Sequence, residues 1–106
     1  MSRVILPPKL ASEVKLYDQF DFTSKLQLGE TIVDPPVFTA AVYSGTDPSP
    51  ASIVVAGSAA VSGAVASVRI QAGVLGVIYE LICTAVTSLG QTLILNGYLA
   101  IIPDLP

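Results

Sequence analysis

Few side chains in this sequence could do chemistry. Asp18, Asp21, Glu30, Asp34, Asp47 and Glu80 could in principle supply a carboxylate pair for acid–base work at a glycosidic bond. Asp18 and Asp21 stand three apart, so on a strand they point to opposite faces. Each of these acids sits among ordinary surface residues, and solvated charge is the reading adopted here. A nucleophile fares no better. Cys83 is the single cysteine, it has no acidic or basic neighbour to activate it, and the chain has no histidine. A small buried apolar side chain is its expected role. Asp47-Pro48-Ser49 lacks a series of oxygen ligands, and no His or Cys pair exists to hold a transition metal. The expectation is therefore no catalytic residue, no cofactor-binding residue and no metal site.

The elements that would position any site are strands. Residues 77–102 form the most apolar stretch, reading as two long strands (77–87 and 92–102) joined by Ser88-Leu89-Gly90-Gln91. On the first, Tyr79, Leu81, Cys83 and Ala85 share the face expected in the core. Tyr79, three residues after Gly76, sits where a tyrosine corner would bond back to the preceding turn. Upstream, strands are expected at about 15–22, 30–33, 37–43, 53–56, 59–62 and 68–71. Gly57-Ser58 is read as a hairpin turn, and Asp34-Pro35-Pro36 as a strand end. The expected fold is all-β: an immunoglobulin-like antiparallel β-sandwich of about seven strands with extended, proline-containing termini. Residues 1–9 are read as an extended N-terminal arm stiffened by Pro7-Pro8, 10–102 as the sandwich and 103–106 as a C-terminal tail.

Composition points to a protein covered on more than one side. Of 106 residues, 52% are hydrophobic and 12% charged, and between Pro48 and Pro103 only Arg69 and Glu80 carry charge. A typical soluble domain carries about 25% charged residues. The charge-free run 81–103 is broken by Thr, Ser, Gln, Asn and Gly, which suits strands and fits a membrane-spanning helix poorly. The first ten residues are too short and too interrupted by proline for a signal peptide. The net charge of −3 and the lack of a basic patch argue against nucleic acid as a direct partner. A single cysteine forms no internal disulfide, so folding needs no oxidising compartment.

The second face of the hairpin is too apolar for open surface, and a neighbouring subunit is expected there. Candidate contacts are Ile78, Ile82, Ile94 and Tyr98 on the sheet, Val4, Ile5 and Leu6 in the first arm, and Ile102 and Leu105 at the end. Strand addition by either terminal segment is the expected mode.

A set of spaced motifs carries a resemblance. The run from Lys9 through Glu13-Val14, Tyr17 and Asp21-Phe22 leads to Leu26 and Leu28-Gly29-Glu30-Thr31-Ile32. Later come Gly76-Val77-Ile78-Tyr79-Glu80-Leu81 and Thr87-Ser88-Leu89-Gly90-Gln91-Thr92. This pattern, over about residues 9–95, resembles the bacteriophage fibre–tail adaptor proteins, small immunoglobulin-like virion proteins. Phe22 stands where that family usually has Trp, and residues 98–106 add an apolar tail. The resemblance implies a non-enzymatic structural protein of the virion tail, made in the host bacterial cytoplasm. It would link tail or baseplate to tail fibres by subunit–subunit binding, in a homo-oligomeric ring, with no nucleic acid, membrane or cofactor as partner. Two alternatives remain at this point: a capsid decoration or head–tail connector protein of similar fold, and a carbohydrate-binding module. The second is disfavoured by the lack of Trp and of an aromatic platform.

Overall fold

The computed structural model describes residues 3–103; for Arg3–Ile5 the backbone alone is considered. Eight strands lie among them: β1 Arg3–Ile5, β2 Lys9–Leu10, β3 Lys15–Asp21, β4 Val37–Ser44, β5 Ala60–Ser62, β6 Val65–Ile70, β7 Ile78–Val86 and β8 Thr92–Ile102. The β7–β8 hairpin forms where inward and outward positions alternate along both strands, the inward ones on β7 being Tyr79, Leu81, Cys83 and Ala85. Its register runs unbroken from Ile78↔Ala100 to Val86↔Thr92. The connecting turn closes through Thr87 N–H to Gln91 O (2.9 Å) and Gly90 N–H to Thr87 O (3.0 Å). Gly90, at φ 82°, supplies a left-handed conformation that a side chain would resist.

Two sheets face each other. One has the order β1-β8-β7-β4, with β2 also on β8; the other has the order β3-β6-β5. β4–β7–β8 and β3–β6–β5 correspond to the C-F-G and B-E-D strands of an immunoglobulin-like sandwich. All these pairings are antiparallel. The N-terminal run departs from them: β1 and β2 both lie parallel to β8, at Val4↔Gly97 and Lys9↔Ile101. Pro7 and Pro8 interrupt that ladder, because neither has an N–H to donate.

The core lies between the sheets. Tyr17, Phe20, Val68 and Ile70 meet Tyr79, Leu81, Cys83, Ala85 and Leu99, all fully buried. Phe20 and Phe38 bridge the layers edge to face, with centroids 5.1 Å apart. Burial pushes the Cys83 thiol up to about 12, which suits its role as a small apolar filler. Tyr79 forms the expected corner: its hydroxyl accepts from Val74 N–H (2.8 Å) and donates to Asp47 Oδ2 (2.6 Å).

Three expected elements differ. The strand expected at 53–56 does not form: Ile53 ends a 3₁₀ turn, Pro50–Ile53, which Pro50 opens and in which Ser52 Oγ donates back to Ser49 O. Val54 retains only a single bridge, to Ile70. The hairpin turn lies at Gly63-Ala64, between β5 and β6, and not at Gly57-Ser58. Residues 30–33 contribute one bridge, Ile32↔Thr87, in place of a strand.

Candidate assembly surface

Strand alternation places one set of β4, β7 and β8 side chains on the outer face of the larger sheet. The register aligns them in rows. Val37, Thr84 and Ile94 form the first, Thr39, Ile82 and Asn96 the second, and Ala41, Glu80 and Tyr98 the third. Ile78 and Ala100 close the fourth beside Ser44. The face is apolar at both ends and polar in the middle, where Asn96 Nδ2 donates to Glu80 Oε2 (2.8 Å). At one end Tyr43 packs against Tyr98, with centroids 4.5 Å apart. At the other, Val37, Val86 and Ile94 are 58%, 48% and 51% exposed.

The expected sheet contacts therefore fall together. Ile78, Ile82, Ile94 and Tyr98 all lie on this face, and Ile102, expected as a contact of the chain's end, follows on the same side by strand alternation. Ile78, Ile82 and Tyr98 are half-buried by their neighbours in the sheet, while Ile94 and Ile102 are exposed. The terminal candidates do not join them as a set. Val4 and Ile5 lie in β1, paired with Gly97 and Tyr98 of the chain's own β8. Leu105 lies outside the described residues. Leu6 is a correction: it is buried in the chain's own core and is not available to a neighbour. The reason is Gly97. A Cβ there would stand 3.0 Å from Leu6 Cδ1 and 3.3 Å from the Phe20 ring, so the missing side chain makes the hollow that Leu6 fills.

Two polar clusters brace the face from behind. Glu30, expected as solvated charge, is instead 6% exposed. Its carboxylate accepts from Gln27 N–H (2.8 Å), from Gln91 Nε2 (3.0 Å) and, closest of all, from the Thr87 hydroxyl. These bonds, the Thr87 one first, hold its pKa below the usual carboxylate range. Thr31 and Ser88 add reciprocal bonds, Ser88 N–H to Thr31 O (2.8 Å) and Thr31 N–H to Ser88 Oγ (3.0 Å). The 27–33 loop is thereby stitched to the β7–β8 turn. The other cluster anchors the N-terminal run. Lys9, fully buried, donates to the carbonyls of Leu10 (2.8 Å), Ala11 (3.3 Å) and Glu13 (2.7 Å). Tyr17 donates from β3 to Pro7 O (2.9 Å). Burial first, then the nearby Glu13 charge, raises the Tyr17 hydroxyl to about 12.

Composition alone could not reveal these clusters, because a buried Glu or Lys reads like any surface one. The spacing of Gly29-Glu30-Thr31 and of Thr87 with Gln91 was the available signal. No cluster of His, Cys, Asp or Glu among the described residues could hold a metal ion. The arrangement locks loops and exposes an apolar face, and both are binding properties.

The motif residues that build these clusters fall inside a family match. The model of the Podophage GP4 fiber-tail adaptor protein gp77 family covers residues 9–96. The chain belongs to the podophage fibre–tail adaptor family. No curated protein and no solved structure matches it. A fibre–tail adaptor is a structural protein of the virion, and its role is to link tail components rather than to catalyse. In this adaptor the family match begins at Lys9, the buried lysine, and takes in Glu30, Thr87 and Gln91.

Proposed function

We propose that this adaptor binds its neighbours through the outer face of β4, β7 and β8. On this reading several copies form a ring around the tail, and the ring receives the fibres. The observation that carries the proposal is that face: each row across β4, β7 and β8 holds at least one large apolar side chain (Val37 and Ile94, Ile82, Tyr98, Ile78), with one polar pair at its centre. The family supplies the setting, a joint between tail and fibre. The partners are then virion proteins. A net charge of −3 offers nothing to nucleic acid, and a fold without a disulfide suits synthesis in the host bacterial cytoplasm.

Ile94→Lys tests it. The residue is half exposed, so the chain's own stability should stay within about 0.5 kcal/mol of the wild type. Burying an Ile at a contact contributes about 1.5–3 kcal/mol, so incorporation into particles should fall about tenfold or more. Unchanged incorporation with an intact fold would rule this face out as the contact.

A further inference from the structure

The sheet edges are not alike. β3 carries Lys15, Asp18 and Asp21, β5 is three residues long, and the N-terminal run along β8 contains Pro7 and Pro8. Charge, shortness and proline are among the devices that keep an edge from pairing with another chain. β4 has none of them. Val37-Phe38-Thr39-Ala40-Ala41-Val42-Tyr43-Ser44 is eight residues long, uncharged and free of proline. On one side it pairs with β7; on the other it makes no backbone hydrogen bond among the described residues. The neighbouring turn Pro50–Ile53 bonds back to Ser49, closes on Val54 through Ala51 O and accepts from Gln71 N–H at Ile53 O, and it sends no backbone bond to β4.

We infer that the β4 edge pairs antiparallel with the β4 edge of a second copy of this chain, about a two-fold axis at Ala40. The strand's own pattern selects a second copy. Read backwards from Tyr43, it sets uncharged side chains against uncharged ones, large against large and small against small: Val37 meets the copy's Tyr43, Phe38 its Val42 and Thr39 its Ala41. Like faces meet like faces, since Phe38 and Val42 belong to the inner side while Val37, Thr39 and Ala41 belong to the outer. A two-fold sets every near-axis charge against its own image, and this strand brings no charge to the axis. Val37 and Tyr43, 58% and 60% exposed, would cover each other twice across the seam. The irregularity between Val42 and Ser44 ends the pairing at Tyr43. Two sheets become one, and the two outer faces form a single continuous surface.

This pairing uses an edge where the proposed ring contact uses a face, so the two can be tested apart. The wild-type chain should sediment at twice its 11.0 kDa at micromolar concentration. Ala41→Lys, which brings an ammonium from each copy beside the axis, should halve that mass and keep the circular-dichroism spectrum of the folded chain, with a melting temperature that no longer depends on protein concentration. Ile94→Lys should leave the pair intact. Ala40→Cys should give a disulfide-linked dimer on mild oxidation, because residue 40 then faces its own image at strand-pair distance; Ser62→Cys, on β5, should not. A wild type of single-chain mass overturns the inference. So does a larger species that survives Ala41→Lys, or one that Ile94→Lys dissolves, or an Ala40→Cys chain that stays unlinked.

Discussion

Glu30 shows how much one side chain can organise. Its carboxylate joins the 27–33 loop to the β7–β8 turn through Gln27, Thr87 and Gln91. Its folded pKa lies below its unfolded one. The stability it contributes is therefore fully present above the unfolded value and is lost as pH falls through the folded one. Melting temperature followed from pH 7 down to pH 3 should show that loss. In Glu30→Gln the curve should start lower at neutral pH and fall less in acid, because the group no longer titrates. An acid limb of the same depth in both proteins would remove Glu30 from the account. Asp47, held low chiefly by the Tyr79 hydroxyl, contributes in the same direction from the other end of the sheet.

The N-terminal run is the element whose reading changed most. Residues 1–9 look from the sequence like an arm, because Pro7-Pro8 forbids a regular ladder. The structure routes residues 3–10 along β8, with the prolines at the gap between two short parallel pairings. Leu6 decides the matter by filling the hollow over Gly97. Leu6→Ala should cost about 2 kcal/mol, the low end for a core leucine, since an edge site can partly collapse. Hydrogen exchange should then accelerate at residues 3–10 while β7 keeps its protection. Gly97→Ala should have the same signature, because its Cβ would crowd Leu6. Equal loss of protection across both sheets would mean that the run is not a separable element.

The long hairpin and its two faces were legible because period-two alternation is strong over twenty residues. The partnership of Leu6 with Gly97 was not, since it joins positions about ninety apart and rests on a missing side chain. Buried Lys9 and Glu30 escaped for a related reason: each is satisfied by backbone carbonyls or distant hydroxyls that no local pattern announces. The strand expected at 53–56 rested on the β-branched run Ile53-Val54-Val55, but the 3₁₀ turn opened by Pro50 carries through Ile53 and leaves only the Val54 bridge.

At the scale of the molecule, the chain is elongated, 48 × 22 × 20 Å, with charge concentrated in its N-terminal third. An association carried by the outer face is then apolar rather than ionic. Binding to tail partners should change little with added sodium chloride, which screens charges, and should strengthen in sulfate, which favours burial. A steep loss of binding in sodium chloride would instead assign the contact to the charged N-terminal third.

The parallel run along β8 has a mechanical consequence. β1 lies beside the middle of β8 and points the same way, so the start of β1 and the end of β8 lie in opposite directions along neighbouring strands. Tension between the ends would shear that ladder and load its bonds together, instead of peeling them one at a time. Lys9 and Tyr17 clamp the run just behind the ladder. A pull applied between the start of β1 and the end of β8 would meet this shear-loaded ladder before any other part of the fold.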